Sequence, residues 1–532
     1  MSGARAAWVR ATLVPLAVAA VVLRTVVGSG YLIQVDVAFG PRMPPLQWNF
    51  YTPVSLVLHI GQMAIGGAAV GRVYALLALA VCGFGAMVLL RDKKWWIQCA
   101  GGLLGMLNPF VYDRFVEGQW GVLGATGGLF LFVAAWLTMQ RRPTIRTAVA
   151  TAGSALLVVM SSSNFIGILA VTAIALSLAA THWREPMARR WTLRALLSFG
   201  ALSAYGIIPF FLNHGIGTYQ GVTSFTPGEF AAFQSTPDAH FGLFAALAGL
   251  YGDWSERIGR YAVANVEYPW WIASTLVLSG LAVAGALLVR SRAWLLPLGA
   301  VGIALSGITA TTWGQHAAVT VAQHFPLVAA YREPQKWAVL WLLALVVLGA
   351  EAVERVGAVA ARRLPRLRAG PMLAALMTVA TVAPAGFVEL RDTSAVVTPV
   401  TYPASWSEGA AYLQAHVPAG SPVAVLPWHQ YQTLPFVRHP SGGVADVFFP
   451  GNLLTSSDPE IPGTQPSDPI GRAATRPHGC GLAAALSAAG IRWVLVIPLA
   501  ADGAADEVAL QQCGFSVELA PDPYIAVLRG PT

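Results

Sequence analysis

The sequence predicts a mainly α, polytopic transmembrane helical bundle followed by a small α/β domain, on three observations. Hydrophobic residues fill 56% of the 532 positions and charged ones only 11%, a balance suited to lipid as solvent rather than water. About eleven apolar stretches come close to the roughly 17–25 residues that carry a helix across hydrocarbon. From about Thr393 the composition turns to Pro, Ser, Asp and Gly, which marks a loop-rich unit of another kind. The chain therefore divides into a transmembrane domain, 1–392, with outer loops 29–71 and 214–271, and an extracytoplasmic α/β domain, 393–532.

The apolar stretches fall near 9–28, 73–90, 97–111, 120–139, 147–161, 164–181, 195–213, 272–290, 294–312, 337–354 and 371–388. The first is read as a retained helix and not a signal peptide, because no small-x-small cleavage site follows it and further spans do. The net charge of +8 is gathered into short clusters between apolar stretches, which is a topology pattern and not a nucleic-acid surface. Arg5 and Arg10 open the series, then Arg91, Lys93 and Lys94, then Arg141, Arg142 and Arg146. Arg184, Arg189, Arg190 and Arg194 follow, then Arg290 and Arg292, then Arg362, Arg363, Arg366 and Arg368. Every second connection is basic, so the N-terminus is expected in the cytoplasm and the C-terminal domain outside a cytoplasmic membrane.

The other connections differ. Loop 29–71 contains a half-length apolar stretch, Val54 to Ile65, suited to an interfacial or re-entrant helix. Loop 214–271 mixes Asp253, Glu256, Arg257, Arg260 and Glu267 with Trp254, Tyr268, Trp270 and Trp271, as an aromatic interface belt would. In the C-terminal domain, Ser405 to His416 and Leu482 to Ala489 read as helices, Val423 to Leu426 and Trp493 to Ile497 as buried strands, and Phe515 to Leu528 as a terminal hairpin. Pro440 to Gly479 reads as irregular loop lying over the membrane domain. Outside the cytoplasm, Cys480 and Cys513 are either a disulfide or two unrelated thiols, and the spacing leaves both open.

Ionisable groups beside the membrane are costly, so those that persist at its outer edge are the candidates for chemistry. Asp36 follows the first stretch; a lone carboxylate there suits a general base, or else a helix cap or a salt bridge to Arg42. Asn108 to Trp120 crowds Tyr112, Asp113, Arg114 and Glu117 into one turn interrupted by Pro109 and Gly118, which suits a covered cavity or a packed hinge. Tyr331-Arg-Glu-Pro-Gln-Lys-Trp337 puts Arg332 and Lys336 at the start of the tenth stretch, where a phosphate could lie against a helix N-terminus; an interface anchor is the alternative. The tail offers Tyr402-Pro-Ala-Ser-Trp406 and, around Trp428 and His429, Leu426 to Tyr431, which suit either sugar contact or docking. No nucleotide-binding, zinc or nucleophile-elbow motif occurs.

In order, these segments resemble the polytopic GT-C glycosyltransferases, in particular the mannosyl- and arabinofuranosyltransferase-like membrane proteins of actinobacterial envelopes. The resemblance covers most of the chain through short motifs. It implies transfer of a sugar from a polyprenyl-phosphate donor to a hydroxyl of an envelope glycan or glycolipid at the outer surface, among membrane lipids and with no nucleic-acid partner. It places Asp36 as the base that deprotonates the acceptor, with Glu117 as second candidate. Arg332 and Lys336, joined by Arg114 or Arg42, would hold the lipid phosphate as it leaves. Glu333, Tyr112, Trp428 and His429 are the expected acceptor or sugar contacts. Members with paired acidic residues differ from this sequence, in which Val37 follows Asp36, so no metal or other cofactor is expected. The rival reading is an envelope lipid or polysaccharide transporter or a non-catalytic assembly subunit. A transporter would place polar groups deep within several spans, whereas here they gather at the outer edge.

Overall fold

The computed structural model describes residues 3–531 except 45, 47, 180–185, 213–225, 258–269, 325–330, 364–368, 382–392, 394–395, 457–465, 467 and 476–478. Arg184, Arg260, Glu267, Tyr268, Arg366, Arg368 and the end of the last apolar stretch lie outside the described residues.

The eleven apolar stretches are mainly helical over their described residues, but among those residues only seven helices are long and apolar enough to cross a membrane: Arg5–Val22, Gly67–Leu89, Trp120–Arg141, Arg189–Pro209, Trp271–Leu288, Arg290–Ala310 and Pro334–Arg363. The third expected span, 97–111, is broken. Its helix, Trp95–Met106, ends where Asn108 turns extended, and a new short helix, Pro109–Val116, begins. Pro109 cannot donate to the preceding turn, so the first helix stops before it and the second starts on it.

The bundle is organised round Val339–Arg363, which is buried along nearly its whole apolar length. It packs against Trp95–Met106, Trp270–Leu288, Leu295–Gly307 and Ala369–Thr381. Lipid tails are as apolar as Leu, so such contacts depend on close packing, and small residues permit it. A Cβ on Gly285 would lie 2.0 Å from the Leu348 carbonyl oxygen, and one on Gly127 would lie 2.4 Å from that of Val81. In the half-length helix Thr52–Ile65 no residue is buried; Leu56, Val57, Ile60 and Met63 are exposed, and the chain turns through Gly66, at φ +79°, into Gly67–Leu89. That is the unpartnered apolar surface an interfacial helix carries.

The C-terminal unit is a five-stranded sheet in the order β6-β3-β7-β9-β8, made of β3 (Pro422–Leu426), β6 (Asn452–Leu454), β7 (Trp493–Val496), β8 (Ser516–Asp522) and β9 (Ile525–Arg529). β6, β3 and β7 are parallel, and β9 and β8 antiparallel. Side chains alternate from one face to the other along each strand. Val423 and Val425 pack with Trp406 and Leu413 of Ala404–His416, while Ala424 and Leu426 pack with Leu482, Leu486 and Leu510 of the helices on the other face. Cys480 and Cys513 form a disulfide. One expectation fails: Pro440 to Gly479 is not wholly irregular, since it supplies β6 and the helix Pro469–Ala474. β6 has three residues and exists because β3 templates it, which leaves no local pattern to read.

The first outer loop joins bundle and sheet. β1 (Tyr31–Leu32) pairs antiparallel with β2 (Pro399–Val400). The Gly442 amide donates to the Val35 carbonyl at 2.9 Å, and the Arg42 amide to that of Val447 at 2.9 Å. The Tyr402 hydroxyl donates to the Phe39 carbonyl at 3.0 Å.

Two glycine substitutions separate packing from helix propensity. Gly127→Leu must push neighbouring helices apart and is expected to lower stability by roughly 1–3 kcal/mol. Gly153→Ala meets nothing within 4 Å and should leave stability unchanged or raise it by up to about 1 kcal/mol. Thermal unfolding in detergent checks both signs.

Candidate active site

Asn108 opens the short helix Pro109–Val116 as its cap, accepting from the Val111 amide at 3.2 Å while its own side-chain amide donates to the Leu104 carbonyl at 2.9 Å. Beyond the end of the helix the chain turns at Gly118, with φ +84°. A Cβ at Gly118 would stand 2.8 Å from both Gln34 and Val37, so glycine is needed both for its backbone angle and for the close approach of the first outer loop. The Asp36 amide donates to the Glu117 carbonyl at 2.8 Å and locks that approach.

Arg114 lies at the centre, 1% exposed. Its guanidinium donates to Glu117 at 3.0 Å, to Gln119 at 2.8 Å, to Glu333 at 3.1 Å and to Asp253. Three carboxylates from separate segments thus converge on one cation, and Lys336 adds a second at 3.3 Å from Glu333. The Gln119 amide donates to Glu333 at 3.1 Å and to Asp36 Oδ2 at 2.9 Å. Asp36 Oδ1 accepts from the Tyr431 hydroxyl at 2.8 Å, so the tail supplies one side of the site.

Asp36 is exposed, yet it sits recessed among protein groups. Loss of hydration raises its pKa, the charge of Glu333 raises it further, and the bonds from Tyr431 and Gln119 and the charge of Lys336 only partly oppose this. Glu333 behaves in the opposite way. Burial would raise it, but Lys336, Arg114 and Arg332 outweigh burial and hold it at about 2. Burial, then Asp36, push Tyr431 up, so it stays a neutral donor. Glu117 is pushed well up by burial and by Asp253 beside it.

Of the expected residues, Asp36, Arg114, Glu117, Glu333 and Lys336 are brought together. Arg332 adjoins them, its guanidinium stacked over the Phe233 ring at 4.7 Å and making no ion pair among the described residues. For five of the expected residues the structure departs from the expectation. Arg42 is held under the tail by its backbone with an exposed side chain, and no described contact joins it to Asp36 or the cluster. Tyr112 packs into the apolar core, 4% exposed. Trp428 donates to Asp468 at 3.2 Å, and His429 stands 3.7 Å from Asp502; both are tied within the tail, because β4 (Tyr431–Gln432) turns Tyr431 and not them towards Asp36. Glu333 is a buried linker rather than an open sugar contact. Sequence reasoning missed Tyr431, Gln119 and Asp253 as functional side chains, although each lay in a stretch it had marked. Among the described residues no group of His, Cys, Asp or Glu has the arrangement of a metal site.

No family model and no curated protein matches the chain. Solved structures do. Cryo-EM structures of the arabinofuranosyltransferase AftD from Mycobacteria, one of a mutant and one without the mutation, superpose on 99% of this chain with TM-scores of 0.63 and 0.62. Sequence identity is 13% and 14%, and the match covers 41% and 40% of those chains. The chain therefore has the GT-C-type membrane fold and spans about two fifths of the length of the structures it matches.

Replacing Arg114 with Leu leaves Glu117, Asp253 and Glu333 buried together without their shared cation. The expected loss is roughly 3–5 kcal/mol at neutral pH. Arg114 lowers the pKa of Glu117 and of Glu333, so removing it raises both, and the deficit is absent where they are protonated in both states and grows as pH rises. Thermal unfolding at neutral and mildly acidic pH should show the variant closest to the parent on the acidic side.

Proposed function

We propose that the protein is a membrane glycosyltransferase. It moves a sugar from a polyprenyl-phosphate donor to a hydroxyl of an envelope glycan or glycolipid, on the outer face of the cytoplasmic membrane. The observation that carries this reading is Asp36: an accessible carboxylate at the rim of a helical bundle with GT-C-type fold, oriented by Gln119 and Tyr431, with Arg332 and Lys336 on the neighbouring segment.

The chemistry follows from these placements. The acceptor hydroxyl loses its proton to Asp36 while its oxygen bonds to the anomeric carbon from the face opposite the leaving group. The carbon–oxygen bond to the lipid phosphate breaks, and the phosphate leaves with the electron pair. Inversion at the anomeric carbon results. Burial and the charge of Glu333 raise the pKa of Asp36, which makes it the stronger base. Two fixed oxygens aim its free lone pairs and leave no reorganisation for the reaction step. On the leaving side, negative charge grows on the phosphate, and cations already in place stabilise that change more than the ground state. Arg332 suits this best, since Lys336 is engaged with Glu333 and Arg332 makes no ion pair among the described residues. The start of Pro334–Ala338 and the long helix after it adds the positive end of a helix dipole. The Arg114 network is structural on this reading: it holds the two sides at a set distance.

Two measurements test the assignment. Asp36→Asn should cut turnover about 10²- to 10⁴-fold with donor binding retained; a transporter or assembly subunit would be indifferent to it. Tyr431→Phe removes a bond that favours ionised Asp36, so its pKa rises further and the acidic limb of the pH–rate profile moves to higher pH. An unmoved or oppositely moved limb would assign that limb to another group.

A further inference from the structure

A cavity of about 350 Å³ opens in the C-terminal domain, bordered among others by Tyr412, His416, Arg492, Trp493, Glu518 and Arg529. It lies where β3 and β7 begin and β9 ends, whereas Tyr431 reaches Asp36 from beyond the other end of β3. Five residues of strand, roughly 16 Å at 3.3 Å each, separate the two. The cavity is thus distinct from the site described above.

Its lining has two kinds of surface. Tyr412 and His416, one turn apart on Ala404–His416, stack with centroids 4.1 Å apart and 18° between planes, and the Arg529 guanidinium lies over the Trp493 ring at 5.3 Å. The Tyr412 hydroxyl donates to Glu518 at 3.2 Å, which fixes the ring. Trp493 is buried with Arg529 over it, so the open flat face is that of the Tyr412–His416 pair; beside it stand planar donors, Arg492 and Arg529, and a planar acceptor, Glu518. An inorganic anion here would face Glu518, and a cation would face both arginines. A neutral polyol is repelled by neither, since vicinal hydroxyls can accept from a guanidinium and donate to a carboxylate while the C–H face of a sugar ring covers an aromatic plane. The volume lies in the range of about 300–1,000 Å³ typical of ligand clefts.

We propose that this cleft binds a segment of a linear neutral glycan, and so grips a polymeric acceptor at a point remote from Asp36. Its identity as the acceptor rests on the transferase reading; the binding itself does not. The test uses the full chain in nanodiscs and saturation-transfer NMR with linear neutral hexasaccharides of pentose and of hexose. One of them should bind, Tyr412→Ala and Arg529→Ala should each weaken it at least about tenfold, close to 1.4 kcal/mol, and Asp36→Asn should leave it unchanged. Both cleft variants should retain the parent's melting temperature and its transfer to a monosaccharide acceptor. Binding untouched by both substitutions, or saturation transfer only from phosphorylated sugars or inorganic phosphate, would overturn the proposal. Failure of the transferase reading shows separately, as Asp36→Asn without effect on turnover.

Discussion

A guanidinium buried where three connections between helices meet sets the geometry of this protein. Arg114 is out of contact with water, and a buried cation is tolerated only when partners satisfy it. Glu117 comes from its own turn, Asp253 from the large outer loop and Glu333 from the start of the central helix. Only Glu117 is near Arg114 in sequence, so satisfying one side chain draws together three connections that the apolar helices alone would leave unrelated. Lys336 and Gln119 complete the set and extend it to Asp36. The carboxylate proposed as base is held by the edge of this network, at the point where it meets solvent.

The tail completes the site from the other side. β1 and β2 pair the first outer loop with the start of the C-terminal unit, and Gly442 and Val447 bond to the same loop from above. Loop 29–71 is thereby sandwiched between bundle and sheet, which is why a tyrosine 395 positions along the chain from Asp36 can donate to it. The bundle supplies Arg114, Glu333 and Lys336, and the sheet domain supplies the Tyr431 hydroxyl that donates to Asp36. Neither half holds the constellation alone.

Much of the architecture is legible in the sequence because it is written locally. Run length marks the helices, Pro109 marks the break after Met106, and the apolar runs at β3 and β7 mark the strands that the sheet buries on both faces. Asp36, Arg114, Glu117, Glu333 and Lys336 stand out since ionisable groups beside lipid are costly. What stays illegible depends on non-local pairing. No spacing connects Asp253 to Arg114. β6 takes its form from β3. The choice between His429 and Tyr431 turns on the partner of β4, the distant pair Ser441–Gly442, and a shift of one residue in a strand exchanges its faces.

On the proposed function, a lipid-linked sugar lies between the Asp36 carboxylate and the Arg332 guanidinium. The direct measurement is a cryo-EM structure of the full chain with a non-hydrolysable polyprenyl-phosphonate sugar. The phosphonate is expected against Arg332 at the start of the central helix, and Asp36 facing the anomeric carbon from the side opposite the leaving group. Density for the head group on another face of the bundle, with Asp36 touching no sugar, would contradict it.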